Sequence, residues 1–569
     1  MQDPKEVSRG LETIAALLRF DEQPKFKVLS YERAAQIVDT LGDDLGPLVE
    51  QDRLRELSGI GSSLSQQIQE LWNTGHSAYL TQLLEGHPEG AAELVRVPGL
   101  TPKRIRALHA ALGISSLEAL IEACREGRLR NVQGFGEKTE QRLLSAAEKY
   151  LGRAGEPPPP LILSRALELA ALLERELREA GAGGARPGAG PSGETVHLAG
   201  ALRRGEETVT EIEFVVTGDV ESALRRVSRL RQVLRVEAAE GVAHLSEGVR
   251  LRVHPASPSL GSALCEATGS EAHVAALREL ASARGQTLDG SFASESELYH
   301  SLGLALIPPE LRQGRGELDQ AARGDFSDLI EWSDVRGMVH CHTTYSDGKN
   351  SIEEMAMAAH ALGMEYITIT DHSPSAHYAG GVTLERLKQQ WDEIAAVQER
   401  VPIRILRGTE SDILSDGSLD FPDAVLESFD VLIASIHARH RMDRTAMTQR
   451  LERALSLPLF KIWGHALGRI LNHRPPIDCD LDAVLHALSR SRGAIEINAD
   501  PHRLDLPPAF VPKARELGLP FVVSVDAHST NGLAVLRYGI TMARRGGLRK
   551  SEVLNTFSVD EFASAVRPL

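Results

Sequence analysis

"RGMVHCH", residues Arg336–His342, is an apolar run of strand length that ends on histidine. Six later segments share its build: "EYITITDH" (365–372), "IRILRGTES" (403–411), "VLIASIH" (431–437), "FKIWGH" (460–465), "AIEIN" (494–498) and "FVVSVDAH" (521–528). Six of the seven carry His, Asp or Glu near the C-terminal edge, and helical stretches separate most of them. Strand–helix repetition is the pattern of an α/β barrel, and the C-terminal strand ends of a barrel converge on its active site.

The groups expected to pool there are His340, His342, Asp347, His372, Glu410, His437, His465, Asp526 and His528. A lone histidine at a strand end is ordinarily a hydrogen-bonded neighbour of something else. Nine such groups at one end of one barrel predict a multinuclear metal centre, because they exceed what one ion requires. Mixed nitrogen and oxygen donors suit zinc, manganese or iron. Such a centre provides hydroxide near pH 7 and neutralises phosphate charge, so hydrolysis of a phosphate ester is the favoured chemistry. Asp371 is expected to orient a neighbouring ligand. Arg439 and Arg469 are ordinary loop arginines or a phosphate clamp.

The chain has 569 residues, too many for one hydrophobic core, with the 42% hydrophobic and 25% charged composition of a soluble globular protein. No apolar run of about 18 residues is present, and the N-terminus lacks the regions of a signal peptide, so no membrane contact and a cytoplasmic location are expected. Cys124, Cys265, Cys341 and Cys479 are scattered without CxxC spacing, which argues against disulfides or a zinc ribbon. A net charge of -16 disfavours a broadly basic surface without excluding a local groove for nucleic acid.

"GEPPPP" (155–160) marks a domain boundary, and the Gly/Pro-rich run 180–194 reads as a loop in the next domain. Helical segments precede them; from Thr195 to about Val253, strands alternate with helices. Three stretches in the helical part repeat: "LSGIGSSLSQQI" (57–68), "VPGLTPKRIRAL" (97–108) and "VQGFGEKTEQRL" (132–143). Glycines permit the tight turn and close approach of a phosphate, and the following helix start offers free N–H donors. The copies resemble helix-hairpin-helix motifs, which implies sequence-independent DNA binding through Gly59, Gly61, Gly99, Gly134 and Gly136. The second copy has Thr101 at the usual second glycine.

"FKVLSYERAAQIV" (26–38), these hairpins, "LAGALRRGEETVTEIEFVV" (198–216), "ATGSEAHVAALRELASARG" (267–285) and "LYHSLGLALIPPELRQGRGEL" (298–318) together resemble a bacterial family X DNA polymerase with a C-terminal PHP (polymerase and histidinol phosphatase) domain. The resemblance implies a multidomain chain: a lyase-like helical domain over 1–90, a fingers-like helical domain over 91–155, an α+β palm over 156–255 and a thumb over 256–318. A linker over 319–334 and a distorted seven-stranded α/β barrel over 335–569 complete it. It also implies up to three divalent metals in the barrel, manganese or zinc, with Glu410 bridging two and Asp526 a second catalytic carboxylate.

The chain departs from the family in its palm. Glu211 and Glu213, on one face of a strand, stand where the family has Asp-x-Asp, and Arg250 stands where it has a third aspartate. Ala201 replaces a triphosphate-binding serine and Glu266 an aromatic, while Arg203, Thr268, Gly269 and Ser270 keep the nucleotide-binding pattern. Gln67 occupies the position of the Schiff-base lysine, and an amide is not nucleophilic. The expectation is a DNA-repair protein with a metal-dependent 3′-5′ exonuclease or 3′-end phosphoesterase in the barrel. Its polymerase site, served by magnesium or manganese, is expected to be weak or inactive. The alternatives are an active manganese-dependent gap-filling polymerase with an accessory barrel, a nonspecific DNA-binding protein, and a small-molecule phosphatase, against which the hairpins speak.

Overall fold

The computed structural model describes residues 4–41, 45–57, 59–88, 90–152, 159–178, 195–230, 232–324 and 326–569. Most of the "GEPPPP" boundary (155–158) and the whole run 180–194 lie outside the described residues. The chain divides into two units: Met1–Pro159 with Leu173–Val196 and Gly218–Val253, and Pro160–Leu172 with His197–Thr217 and His254–Leu569.

The first unit is mainly helical. Its opening helix, Pro4–Phe20, is apolar on two sides and serves two cores. Val7, Leu11, Ile14 and Leu18 pack with Ile37, Leu54 and Ile68, whereas Ala16, Leu17 and Phe20 pack with Leu94, Ile105 and Leu120. Gly59, Gly99 and Gly134 adopt left-handed φ values of 99°, 93° and 90°, which a side chain on Cβ disfavours. Helices Ser62–Thr74, Pro102–Leu112 and Glu137–Gly152 follow these turns.

The middle of the chain is mixed α/β and supplies seven strands: β1 (Leu161–Ile162), β2 (Val196–Ala199), β3 (Thr208–Val209), β4 (Glu211–Val216), β5 (Val233–Glu237), β6 (Val242–Leu245) and β7 (Arg250–Pro255). β5, β6 and β7 form an antiparallel meander, with Val236 opposite Ala243 and Ala243 opposite Leu251. In β4 the apolar Ile212, Phe214, Val215 and Val216 are buried, leaving Glu211 and Glu213 half-buried on one face.

The second unit contains a small helical core built from Leu277, Leu298, Tyr299, Leu302 and Ile307. Arg312 is fully buried beside it and pairs with Glu295, whose other oxygen takes Arg203 at 2.5 Å. The segment after it is not bare chain: it holds a helix, Glu317–Arg323, and the fully buried Ile330.

The remainder of this unit is the barrel: β8 (Gly337–Cys341), β9 (Tyr366–Ile369), β10 (Arg404–Asp412), β11 (Val431–Ser435), β12 (Lys461–Trp463), β13 (Gly493–Asn498) and β14 (Phe521–Ser524). Each strand pairs in parallel with the next in chain order. Nearly every residue of these strands is buried, which is why they read as continuous apolar runs. Beyond β14 the backbone meets β8 again, Ala527 N–H donating to His340 O at 3.0 Å and His342 N–H to Ala527 O at 2.9 Å, so the ring is nearly closed.

Glu295→Ala should leave the Arg312 guanidinium buried and unpaired, a loss of about 3–5 kcal/mol. Urea unfolding checks this: a clear drop in midpoint is expected, and a smaller one for Glu295→Gln.

Candidate metal centre

The nine groups that the strand ends were expected to pool do meet at one end of the barrel. Glu410, near the end of β10 and fully buried, is their centre. Its Oε1 lies 2.9 Å from His465 Nε2 and 3.2 Å from His437 Nε2. Its Oε2 lies 3.0 Å from His372 Nδ1, 3.4 Å from His340 Nε2 and 3.6 Å from His342 Nε2. Asp526 Oδ1 is 3.3 Å from His342 Nε2, and Asp347 Oδ1 is 3.2 Å from His528 Nε2.

All of these residues but His465 fall into three overlapping groups of metal-ligand spacing: His342, Asp347, His372 and His528; His340, His342 and Asp526; His372, Glu410 and His437. Among the buried atoms without a hydrogen-bond partner are His340 Nε2, both ring nitrogens of His342, His372 Nδ1, His465 Nδ1 and Glu410 Oε2. Buried polar atoms normally find partners, so so many orphans in one place fit a cation-binding site. The donor set is compatible with divalent metal binding. The backbone is strained to make it: His340, His465 and Asp526 have φ of 65°, 25° and 49°.

The surrounding residues orient these side chains. Glu496, fully buried in β13, takes His340 Nδ1 at 2.5 Å and also accepts from Ser524 Oγ at 2.5 Å and Asn498 Nδ2 at 3.1 Å. Asp412 takes His437 Nδ1 and accepts from Ser375 Oγ at 2.8 Å. Neither acid stood out in the sequence, where one sits inside the apolar strand "AIEIN" and the other two residues past Glu410. Among the described residues Asp371 accepts from no histidine: it accepts from Thr343 N, Thr343 Oγ1, Ser346 Oγ and Gln390 Nε2, and so fixes the loop that carries Asp347. Arg469 is engaged inward, donating from Nε to Arg503 O at 2.8 Å and pairing with Glu207 at 3.0 Å. Arg439 is exposed.

The palm residues gather differently. Arg203 donates to Thr268 Oγ1 at 2.7 Å as well as to Glu295, and Ser270 caps the helix Glu271–Ala283 by accepting from His273 N. A Cβ on Gly269 would lie 2.7 Å from Val274 Cγ2. Glu213 pairs with His254 Nε2 at 3.0 Å. At the hairpins, a Cβ at Gly61, Gly134 or Gly136 would meet nothing within 4 Å, which leaves space over these turns. Gln67 is buried in the helix Ser62–Thr74.

Residues 3–77 match the helix-hairpin-helix domain model, 91–149 the SAM-like helix-hairpin-helix tandem and 339–500 the PHP domain. The DNA polymerase/3′-5′ exonuclease PolX of Bacillus subtilis (strain 168) is 34% identical over 582 residues, covering 98% of each chain. The chain belongs to the family X DNA polymerases that carry a C-terminal PHP domain. Within this family X chain the barrel carries the PHP domain, and shorter proteins resemble part of the chain. A probable phosphatase of Thermoanaerobacter sp. (strain X514) is 27% identical over 38% of this chain and 89% of its own length. One of Caldanaerobacter subterraneus subsp. tengcongensis is 28% identical over 39% and 87%. The hairpin models and the polymerase relative support DNA as a partner. Among the described residues, no single helix is long and apolar enough to cross a membrane.

Without metal the PHP cluster is held by its own charges. Burial works against the protonation of His437, yet Glu410 and Asp412 raise it to about 10; His528, against the same penalty, is raised to about 9 by Asp347 and Asp526. Burial and His372 push His342 down to about 3. Glu410 is kept well below the ordinary carboxylate range despite its burial, by His437, His340 and His372. A raised histidine adds stability below its unfolded value of about 6.5 that is lost as pH climbs through 9–10. His342 withdraws stability as pH falls from about 6.5 toward 3, and Glu410 does so below about 4.5. The urea midpoint of the metal-stripped chain should therefore peak near pH 6.5 and fall in both directions; a midpoint that keeps rising to pH 9 would contradict this balance.

Proposed function

We propose that the PHP domain is a divalent-metal-dependent phosphodiesterase acting from DNA 3′ ends, a 3′-5′ exonuclease or 3′-end phosphoesterase. Up to three ions, manganese or zinc, would be held by His340, His342, Asp347, His372, Glu410, His437, His465, Asp526 and His528. The observation that carries this reading is the division of Glu410: one oxygen faces His437 and His465, the other His340, His342 and His372, as a carboxylate shared between two cations would. Ions in such a site supply hydroxide at neutral pH and neutralise phosphate charge.

The chain's own residues do the rest. Glu496 and Asp412 each hold one nitrogen of His340 and His437, leaving the opposite nitrogen aimed at Glu410. The hairpin turns at Gly59, Gly61, Gly99, Gly134 and Gly136 would hold the DNA backbone through helix N-termini, without reading sequence.

In this reading the polymerase site is weak or inactive, and the palm serves mainly to bind DNA. Glutamate lengthens each arm relative to aspartate, and about 1 Å of misplacement at a reacting centre costs on the order of 100-fold. Glu213 is already paired with His254, and Arg203, which would contact a triphosphate together with Thr268, Gly269 and Ser270, is tied to Glu295, a carboxylate it shares with Arg312. Magnesium or manganese would serve Glu211 and Glu213 in any residual activity. The second reading, an active manganese-dependent gap-filling polymerase with an accessory barrel, is favoured by the name of the Bacillus relative, which joins both activities.

A 5′-labelled primer-template, with manganese or magnesium and with or without nucleotides, tests both. Shortening from the 3′ end is expected, reduced at least about 100-fold by Glu410→Ala or Asp526→Ala together with lost metal and retained helical signal. It should survive the Glu211→Gln, Glu213→Gln double substitution, and extension in magnesium should be weak or absent. Efficient gap filling in magnesium that the double substitution removes would establish the second reading instead. No hydrolysis of any DNA end at full metal content would overturn the first.

A further inference from the structure

Two side chains at the mouth of the metal centre belong to none of its three groups. Tyr378 sits in the turn His377–Ala379 that follows β9. The residue is 70% exposed, although the ring centroids of His372 and His437 lie only 6.1 and 6.2 Å from its own at steep angles of 60° and 58°. An aromatic ring left in solvent against two histidines of the cluster stabilises no core.

Arg503 comes from the loop after β13. Its Nε lies 3.6 Å from Asp526 Oδ2 and 3.7 Å from Asp500 Oδ2, too far for a hydrogen bond. Among the described residues its guanidinium donates no hydrogen bond, in contrast to Arg469, Arg474 and Arg450 of the same domain, each of which donates to backbone carbonyls. A guanidinium is always charged, so Arg503 is a cation with unused planar donors beside the carboxylates of the centre.

We propose that Tyr378 and Arg503 form a clamp for the last nucleotide of a DNA strand, Tyr378 stacking on its base and Arg503 holding a non-bridging oxygen of its phosphate. The proposal rests on the reading of the PHP domain as a DNA 3′-end phosphodiesterase. Stacking on an exposed ring is tolerant of sequence, because every base has a π-face, and it matches the sequence-independent grip of the hairpins. A guanidinium suits the phosphate because its planar donors match two oxygens at once. Cleavage of a terminal nucleotide needs both contacts; removal of a 3′ end that lacks a base needs only the second.

The test uses the full chain with manganese and two primers, one ending in an ordinary nucleotide and one in an abasic residue. Tyr378→Ala should raise KM about 10-fold on the ordinary end and leave the abasic end unchanged, with Tyr378→Phe near wild type on both. Arg503→Ala should raise KM on both ends by about 10-fold or more, and Arg503→Lys, which keeps the charge but loses the planar fork, should fall between. As a readout without turnover, a 3′-terminal 2-aminopurine should be quenched on binding the metal-stripped chain and less quenched by Tyr378→Ala. Loss on the ordinary and abasic ends alike in Tyr378→Ala, or wild-type behaviour of both alanine variants, overturns the clamp while the phosphodiesterase reading stands. Absence of hydrolysis of either primer by the wild-type chain overturns both.

Discussion

A wholly buried carboxylate is costly unless cations or donors surround it, and Glu410 is such a group. Its surroundings come from four other strand ends of the barrel, which bring five imidazole nitrogens to within 3.6 Å of its two oxygens. This constrains the strands: each must end at the right height, and the backbone accepts left-handed φ at His340, His465 and Asp526 to make it so. The acids behind the histidines follow from the same constraint. Glu496 holds His340, Asp412 holds His437, and Asp371 ties down the loop that carries Asp347.

The chain contains a second acidic pair, on β4, treated differently. Glu213 already has His254 as a partner, and the arginine that would meet a nucleotide, Arg203, pairs with Glu295. In the barrel the buried atoms without a hydrogen-bond partner include six on the imidazoles and the carboxylate of the cluster, while in the palm Arg203 and Glu213 have partners. The proposed division of labour, hydrolysis in the barrel and DNA holding in the palm and hairpins, follows from that contrast.

The barrel was legible in the sequence because histidine and aspartate at the ends of apolar runs are out of place there and have few other uses. The hairpins were legible because the turns at Gly59, Gly99 and Gly134 need left-handed φ, which marks glycine in a repeat. Glu496 was not legible, since an acid inside a short strand looks like ordinary alternation until the fold shows that face closed. The Arg203–Glu295 pair, 92 residues apart, leaves no local signal, and Arg203 therefore read simply as a retained nucleotide contact. Arg469 read as a possible phosphate ligand for the same reason: its partners, Glu207 and the carbonyl of Arg503, are remote in sequence.

The central claim, that Glu410 is shared between divalent cations, is tested most directly by anomalous scattering from crystals of the full chain grown with manganese. The account predicts at least two peaks, one on each side of the Glu410 carboxylate and each at about 2.0–2.2 Å from one of its oxygens, with His437 and His465 around one and His340, His342 or His372 around the other. A map with no peak beside Glu410, its oxygens still facing the imidazoles alone, would contradict it.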